Sequence, residues 1–258
     1  MDKASEMGKN RTGIDMSPMH SKEMVSGAKE FTPAGEFAER TEQAATITDA
    51  SGMVEMKLDY IREADPVGSV PMPGTMKGAL KSGMKKAGGH NPEVFLNKLG
   101  ERLAYERSGV RLYQSVIAKC RAVDDAAPVT VEGLQHICEE EAEHFLLLKE
   151  AMETLGADPT AVTPDANVSG VAAMGMQKVL NDPRTTMAQC LEVLLSIEMT
   201  DNAAWELLIL LAEDLGLDDL VEPFQHALTQ EEEHVQRVRT WYEDMTMAQA
   251  GKRAATTH

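Results

Sequence analysis

The segments Glu141-Ala-Glu-His144 and Glu231-Glu-Glu-His234 place the same Glu-x-x-His step inside two long helical patterns. Residues three apart on a helix share a face, so each step turns one carboxylate and one imidazole to the same side. Taken alone, each segment is also compatible with a solvated acidic helix face that carries an incidental histidine. The residues that precede each Glu-x-x-His sequence distinguish a ligand set from a solvated helix face.

One helix before each step, a single glutamate interrupts an otherwise apolar helical stretch: Glu106 in the first case and Glu198 in the second. An aromatic residue follows each glutamate after seven residues, as Tyr113 and Trp205. Around the steps themselves, the second half repeats the first at a constant offset of 90. The pairs at this offset are Gln135 and Gln225, His136 and His226, Glu141 and Glu231, and His144 and His234. This duplication predicts one half-site per helical hairpin, related by approximate twofold symmetry.

From residue 91 onward the chain has the apolar periodicity of four long helices. Asn91 followed by Pro92 is typical of a helix start, and Gly156 of a helix end. Asp182 followed by Pro183 predicts the start of the third helix. A capping pair of Asp219 and Glu222 is expected at the start of the fourth. The predicted helices cover about 92–120, 130–156, 183–216 and 219–247.

The connections determine how these helices are arranged. A short connection at 124–128 makes the first two helices antiparallel, and the last two are also joined by a short turn. Residues 157–182, with a possible short helix over 171–180, are enough to cross the length of a helix of about 27 residues, roughly 40 Å. The order hairpin, crossover, hairpin predicts an all-α four-helix bundle with one long crossover.

In both hairpins the lone glutamate and the Glu-x-x-His step lie at similar distances from the turn, so all six side chains can meet in the middle of the bundle. Burying four carboxylates without compensation is very costly, and two multivalent metal ions remove that cost. One histidine per metal among carboxylates favours iron or manganese over structural zinc. The candidate metal ligands and catalytic residues are Glu106, Glu141, His144, Glu198, Glu231 and His234.

The charge distribution excludes several classes of partner. Net charge is −17, and residues 91–258 alone carry 13 basic and 29 acidic side chains. Such an acidic region is a poor ligand for nucleic acid or an anionic membrane surface. We find no secretory signal and no run of about 18 apolar residues, so a cytoplasmic location is expected. The three cysteines form no Cys-x-x-Cys, which excludes a zinc ribbon, a rubredoxin-type iron site and a disulfide framework.

Residues 1–90 differ from the rest of the chain. They contain 10 of the 17 methionines together with many Gly, Lys, Ser and Pro residues, and they lack sustained periodicity. We predict a largely disordered N-terminal extension over 1–90, with a short helix around 56–61, then the bundle over 91–248 and a frayed tail over 249–258.

These motifs resemble the ferritin-like superfamily and, within it, the rubrerythrin-like branch of non-haem di-iron proteins, over roughly residues 92–247. The similarity rests on Leu103-Ala-Tyr-Glu106 followed by Tyr113, on Ile197-Glu198-Met199 and on the two Glu-x-x-His steps. It implies that Glu106 and Glu198 are terminal ligands. It also implies that Glu141 and Glu231 bridge the metals and that each histidine binds one metal. A rubredoxin module is absent, and the extension is unlike a standard ferritin subunit, so cage assembly does not follow.

The resemblance implies a di-iron oxidoreductase of ferroxidase or peroxidase type, which oxidises ferrous iron with dioxygen or hydrogen peroxide and takes part in oxidative-stress or iron handling. The two iron ions would be its cofactor, an unidentified donor would supply electrons, and a homodimer is expected. Two alternatives remain open. One is a dimanganese catalase-like enzyme, and the other is a metal-free helical scaffold that binds a partner.

Five further residues have weaker expectations attached. Tyr113 and Trp205 are expected mainly to pack in the core, with electron relay or ligand orientation as the alternative. Asp201 is expected to hydrogen-bond a metal-bound histidine. His136 and His226 are expected on the surface or between helices rather than at the site.

Overall fold

The computed structural model describes residues 51–71, 91–124 and 126–251, and these residues fall into two units that are divided between Asp65 and Pro66. The described part of the first unit contains helix α1, Ser51–Glu63, which confirms the short helix predicted around 56–61. Residues 1–50 and 72–90 of the predicted extension, and 252–258 of the predicted tail, lie outside the described residues.

The described part of the second unit is a bundle of four long helices with a fifth helix in the crossover. The helices are α2 Pro92–Ala122, α3 Val131–Leu155, α4 Pro164–Asn181, α5 Met187–Asp214 and α6 Asp218–Gln249. Helix α3 packs along α2, and α6 packs along α5, while α2 also contacts α5 and α3 contacts α6. The crossover helix α4 packs mainly against α2. This confirms the all-α bundle with one long crossover. We find no candidate membrane-spanning segment among the described helices.

The ends of the first hairpin follow the expected local chemistry. The Asn91 side chain accepts a hydrogen bond of 3.3 Å from the backbone N–H of Glu93, which satisfies one of the free donors at the start of α2. Thr130 does the same for α3, accepting from Gly133 at 3.0 Å. Gly156 ends α3 with a φ of 79°, a left-handed conformation that glycine adopts without strain.

The predicted start of the third long helix at Asp182 was wrong. The backbone N–H of Asp182 donates to Lys178 at 3.1 Å and so closes α4, and its carboxylate accepts from Arg184 instead of capping a helix. Helix α5 begins at Met187, after a reciprocal capping box. Gln189 N–H donates to the Thr186 hydroxyl at 3.3 Å, and the Gln189 side chain accepts from Thr186 N–H at 2.9 Å. Two mutual bonds define this start better than a lone aspartate followed by proline.

The expected capping pair of Asp219 and Glu222 was also wrong. Helix α6 begins at Asp218, directly after Leu217, and no side chain caps it. Gly216, with a φ of 59°, turns the chain so tightly that the helix has already started before Asp219 is reached. Asp218 and Asp219 instead lie in the first turn, where carboxylates interact favourably with the positive end of the helix dipole.

The apolar core of the bundle consists of two clusters, and each long helix contributes one end to each of them. The boundary between the two clusters lies at the same level along all four long helices. The predicted ligand residues lie at that level. The first cluster includes Tyr113, Val116, Leu134, Ile137, Leu191, Leu194 and Val238. The second includes Phe95, Leu99, Leu148, Met152, Trp205, Leu208 and Phe224.

We expect Thr186→Ala to lower the free energy of unfolding by about 1 kcal/mol, because it removes the side-chain half of the capping box at the start of α5. Ser196→Ala is the matched control, since Ser196 is exposed inside the same helix and its hydroxyl donates to the Glu192 carbonyl rather than capping the helix. Urea titration followed by circular dichroism measures the free energy of unfolding of both variants. Equal stability of the two variants would contradict the assignment of the cap.

Candidate metal centre

The six residues predicted as metal ligands lie together in the middle of the bundle, between the two apolar clusters. All four glutamate side chains are completely buried, and the two histidines are 1–2% exposed. Their donor atoms form overlapping groups in which every atom lies within 4.8 Å of the others. The residues concerned are Glu106 on α2, Glu141 and His144 on α3, Glu198 on α5, and Glu231 and His234 on α6.

Glu231 lies between the two imidazole rings. One of its oxygens, Oε1, is 2.8 Å from Nδ1 of His144, and the other, Oε2, is 3.4 Å from Nδ1 of His234. Nδ1 of His144 also lies 3.9 Å from Glu106, and Nδ1 of His234 lies 3.5 Å from Glu198. Each histidine therefore turns the same ring nitrogen to the centre, and each is paired with the lone glutamate of one half of the repeat.

The two aromatic residues that follow the lone glutamates each hold a carboxylate of the centre. Trp205 Nε1 donates to Oε1 of Glu106 at 3.1 Å, and the hydroxyl of Tyr113 donates to Oε1 of Glu198. Both rings are fully buried, so they pack in the core as expected and also orient a glutamate of the opposite half of the repeat. Each contact leaves the second oxygen of its glutamate facing the centre.

Many polar atoms of the centre have no hydrogen-bond partner among the described residues. They include both oxygens of Glu141 and Glu231, one oxygen each of Glu106 and Glu198, and Nδ1 of each histidine. The 2.8 Å approach of His144 to Glu231 lacks the alignment of a hydrogen bond. Buried polar atoms are nearly always paired, so such a concentration of unpaired acceptors indicates a ligand. Hard carboxylate oxygens with imidazole nitrogens fit a transition-metal ion.

Asp201 adds a fifth buried carboxylate, and its predicted role was wrong. The residue was expected to hydrogen-bond a histidine, but one of its oxygens is bound by the guanidinium of Arg102 instead. The reason is that Asp201 faces α2, where the buried Arg102 side chain reaches it and stacks 4.1 Å from the Tyr105 ring centroid. The second oxygen of Asp201 is unpaired among the described residues and faces a group formed with Glu106 and two other glutamates.

Gly109 is the position of α2 that corresponds to Asp201 in the repeat, since the offset between these two helices is 92. A Cβ atom at Gly109 would overlap the Oε2 oxygen of Glu141. The centre therefore has room for an acidic side chain from α5, but the equivalent position on α2 must carry no side chain, because Glu141 occupies that space.

Burial and mutual repulsion change the acidity of the whole group. Burial, reinforced by the neighbouring carboxylates, raises the pKa of Glu106 and of Glu141 well above the usual value. Burial alone would raise the pKa of Glu231, but its contacts with His144 and His234 outweigh this and lower it to about 2. Burial opposes a charge on His234 as well, yet Glu198 and Glu231 raise its pKa to about 11. In the absence of metal, protons thus take the place of cations.

The outer ring nitrogens of both histidines contact a polar pair at the edge of the centre. Nε2 of His234 lies 2.9 Å from Oε2 of Glu140, and Nε2 of His144 lies 3.0 Å from Oε1 of Gln230. Partial burial raises the pKa of Glu140, but the bonds from His234 and Gln230 prevail and lower it. His136 is largely exposed and 3.5 Å from Glu140, outside the centre. His226 is exposed, so both of these histidines lie on the surface as expected.

Four residues of the site were not identified from the sequence: Arg102, Gly109, Glu140 and Gln230. Arg102 lies four residues before Glu106 and so shares its helix face, which is an unusual place for an arginine unless it is paired. Glu140 and Gln230 occupy matched positions directly before the two steps, at the offset of 90. Both signals are visible in the sequence, although neither identifies the partner.

The Ferritin-like domain family matches this chain over residues 96–248. The chain belongs to this ferritin-like family. The matched segment takes in the greater part of α2 and all of α3 to α5, extends to the last turn of α6, and contains every residue of the buried cluster. No match to the chain was found among curated proteins or among solved structures. The family and the buried Glu/His cluster together identify a ferritin-like bundle whose centre offers donor atoms for metal.

We expect Gly109→Ala to disrupt the centre of this ferritin-like bundle, because the added methyl group overlaps the Glu141 carboxylate. Gly175→Ala is the matched control, because Gly175 is also helical and a Cβ there meets nothing within 4 Å. The control should be neutral or more stable by up to about 1 kcal/mol. Thermal unfolding with and without Mn²⁺ checks both. Equal metal-dependent stabilisation in the two variants would contradict the tight packing at Gly109.

We expect the chelator-treated protein to lose stability as the pH rises above about 6.5. Folding raises the pKa of His234 from 6.5 to about 11, so the folded state holds more protons than the unfolded state in this range. The resulting stabilisation is complete below 6.5 and is lost as the pH rises toward 11. The raised pKa values of Glu106 and Glu141 also make the folded state less stable as the pH rises above 4.5. Melting temperatures from pH 6 to 9 measure the slope.

His226→Ala and His234→Ala provide the matched comparison for this pH dependence. The exposed histidine should leave the slope unchanged, and the buried one should flatten it. A melting temperature that stays constant or rises over the range would rule out proton occupancy of the centre.

Proposed function

We propose that this protein is a rubrerythrin-like di-iron protein that oxidises ferrous iron with dioxygen or hydrogen peroxide. The observation that carries the proposal is the buried cluster of four glutamates and two histidines whose inward-facing donor atoms have no hydrogen-bond partner among the described residues. Membership of the ferritin-like family supports the same conclusion.

The charge balance of the centre supports two divalent ions rather than one. Five carboxylates are fully buried there, the four glutamates and Asp201, and Arg102 contributes one positive charge against them. The ionised centre therefore carries four net negative charges, which two divalent cations neutralise. Neutral histidines then remain available as nitrogen donors.

The contacts within the cluster suggest which residues would serve each of the two metal positions. His144 lies beside Glu106 and His234 beside Glu198, so each metal position has one imidazole and one lone glutamate. Glu231 reaches both histidines and is therefore suited to bridge the two positions. Glu141 lies in the same donor group and is assigned the second bridge by the symmetry of the repeat. Ligands of this kind suit iron and also accept manganese.

When bound, a pair of iron ions supplies the one-electron redox steps by which dioxygen or peroxide is reduced. The protein excludes bulk water from the centre, because every donor residue is at most 2% exposed. Trp205 and Tyr113 fix the orientation of Glu106 and Glu198 through hydrogen bonds. Burial and the adjacent Glu198 raise the pKa of Tyr113 well above its usual value, so the hydroxyl keeps its proton and remains a donor. A separate donor molecule is proposed to return electrons.

We expect purified protein to bind about two iron ions per chain and to develop ferric absorption during aerobic titration with Fe²⁺. Glu141→Ala should lower both the stoichiometry and the oxidation rate, because it removes a fully buried carboxylate. Glu139→Ala, an exposed glutamate two residues earlier, is the matched control and should behave as the wild type. Fewer than about one bound iron per chain, without ferric absorption, would count against the proposal.

Two further measurements separate the alternatives. Protein produced with manganese and tested for oxygen evolution from peroxide identifies a dimanganese catalase-like activity. A metal-free scaffold instead predicts that Glu141→Ala and Glu231→Ala leave the melting temperature unchanged whether or not iron is supplied.

A further inference from the structure

Glu140 and Gln230 form a hydrogen-bonded pair across the α3–α6 contact. Gln230 Nε2 donates to Oε1 of Glu140 at 2.7 Å, and the other oxygen of Glu140 is 2.9 Å from Nε2 of His234. The other polar atom of the Gln230 side chain, Oε1, is 3.0 Å from Nε2 of His144. A continuous chain of three contacts thus runs from one histidine to the other through these two residues.

The direction of every bond in this chain follows from Glu140. An ionised carboxylate only accepts, so both Gln230 Nε2 and His234 Nε2 must donate to it. Once the amide nitrogen of Gln230 faces Glu140, its oxygen faces His144 and accepts from Nε2 there. Both histidines consequently carry a proton on Nε2, so Nδ1 is the nitrogen that faces the carboxylate cluster and that would bind a metal once it has given up its own proton.

The two ends of the chain differ in charge although they occupy matched positions of the repeat. His234 donates to a carboxylate, whereas His144 donates to a neutral amide. Two glutamates at these positions would place two carboxylates in contact, and the glutamine avoids that repulsion. A charged acceptor makes a stronger hydrogen bond and raises the basicity of the opposite ring nitrogen more than an amide does.

We propose that Glu140 and Gln230 are a positioning pair that presents Nδ1 of both histidines to the metals and makes the two metal positions unequal, with tighter binding at His234. This inference rests on the proposed di-metal centre. Its consequence is ordered loading: the first ion occupies the position served by His234 and Glu198, and the second occupies the position served by His144 and Glu106.

Anaerobic titration with Co²⁺ tests the proposal, because cobalt accepts this ligand set and reports binding by its visible absorption. Wild-type protein should bind two equivalents in two resolved steps. In Glu140→Gln both histidines face amides, so the first step should weaken by about 10- to 100-fold and the two steps should merge. Glu139→Gln removes the same charge from an exposed neighbouring position and should keep both steps.

A substitution of the other residue of the pair tests the second metal position and controls for a general loss of structure. Gln230→Ala removes the partner of His144, so it should weaken the second step and leave the first largely intact. In the Co²⁺-loaded protein, each Nε2 proton should give a shifted exchangeable proton resonance. Glu140→Gln should move the His234 resonance, and Gln230→Ala should remove or move the His144 resonance.

The outcomes separate this inference from the proposed function. Two equal binding steps in the wild type, or equal effects of Glu140→Gln and Glu139→Gln, would overturn the positioning pair and leave the di-metal centre in place. A wild-type protein that binds no Co²⁺, Mn²⁺ or Fe²⁺ would overturn both.

Discussion

Five carboxylates share one buried space between four helices, and like charges repel strongly where water is excluded. The residues around them each reduce that repulsion. Arg102 binds Asp201, two imidazoles flank Glu231, and burial together with the neighbouring carboxylates raises the pKa of Glu106 and Glu141, which favours their neutral forms. The affinity for cations that we propose and the altered acidity of the centre are therefore two consequences of the same constraint.

The internal repeat provides the centre with approximate symmetry, and the departures from it are informative. Tyr113 and Trp205 occupy matched positions, and each donates to the lone glutamate of the opposite half. Asp201 matches Gly109, and the reason is steric, because Glu141 fills the space beside the glycine. The repeat thus supplies two similar half-sites, while close packing beside Glu141 allows only Asp201, and not the matched position Gly109, to carry a side chain.

The bundle and the six clustered residues were predictable because both depend on spacing along helices. A residue's height and face follow from its distance to the nearest turn, so Glu106 and Glu141 could be placed level without coordinates. Helix starts were less predictable, since Asp182 and Asp219 resemble caps but the outcome depends on which side chain reaches the free N–H groups. Partner choice across helices was not predictable. The contact of Asp201 with Arg102 instead of a histidine depends on the separation and rotation of α2 and α5.

The two apolar clusters provide the packing that offsets the cost of burying the charged centre. Leu148 and Leu191, one in each cluster, are completely buried, and burial of each such side chain contributes about 1.5–3 kcal/mol. Among the described residues, the buried charged side chains occupy the short zone between the clusters. Donor atoms are consequently held in place by packing on both sides. Under the proposed function, these residues would hold the metal in a site whose donor atoms are positioned by packing, unlike small zinc domains, in which metal binding itself drives folding.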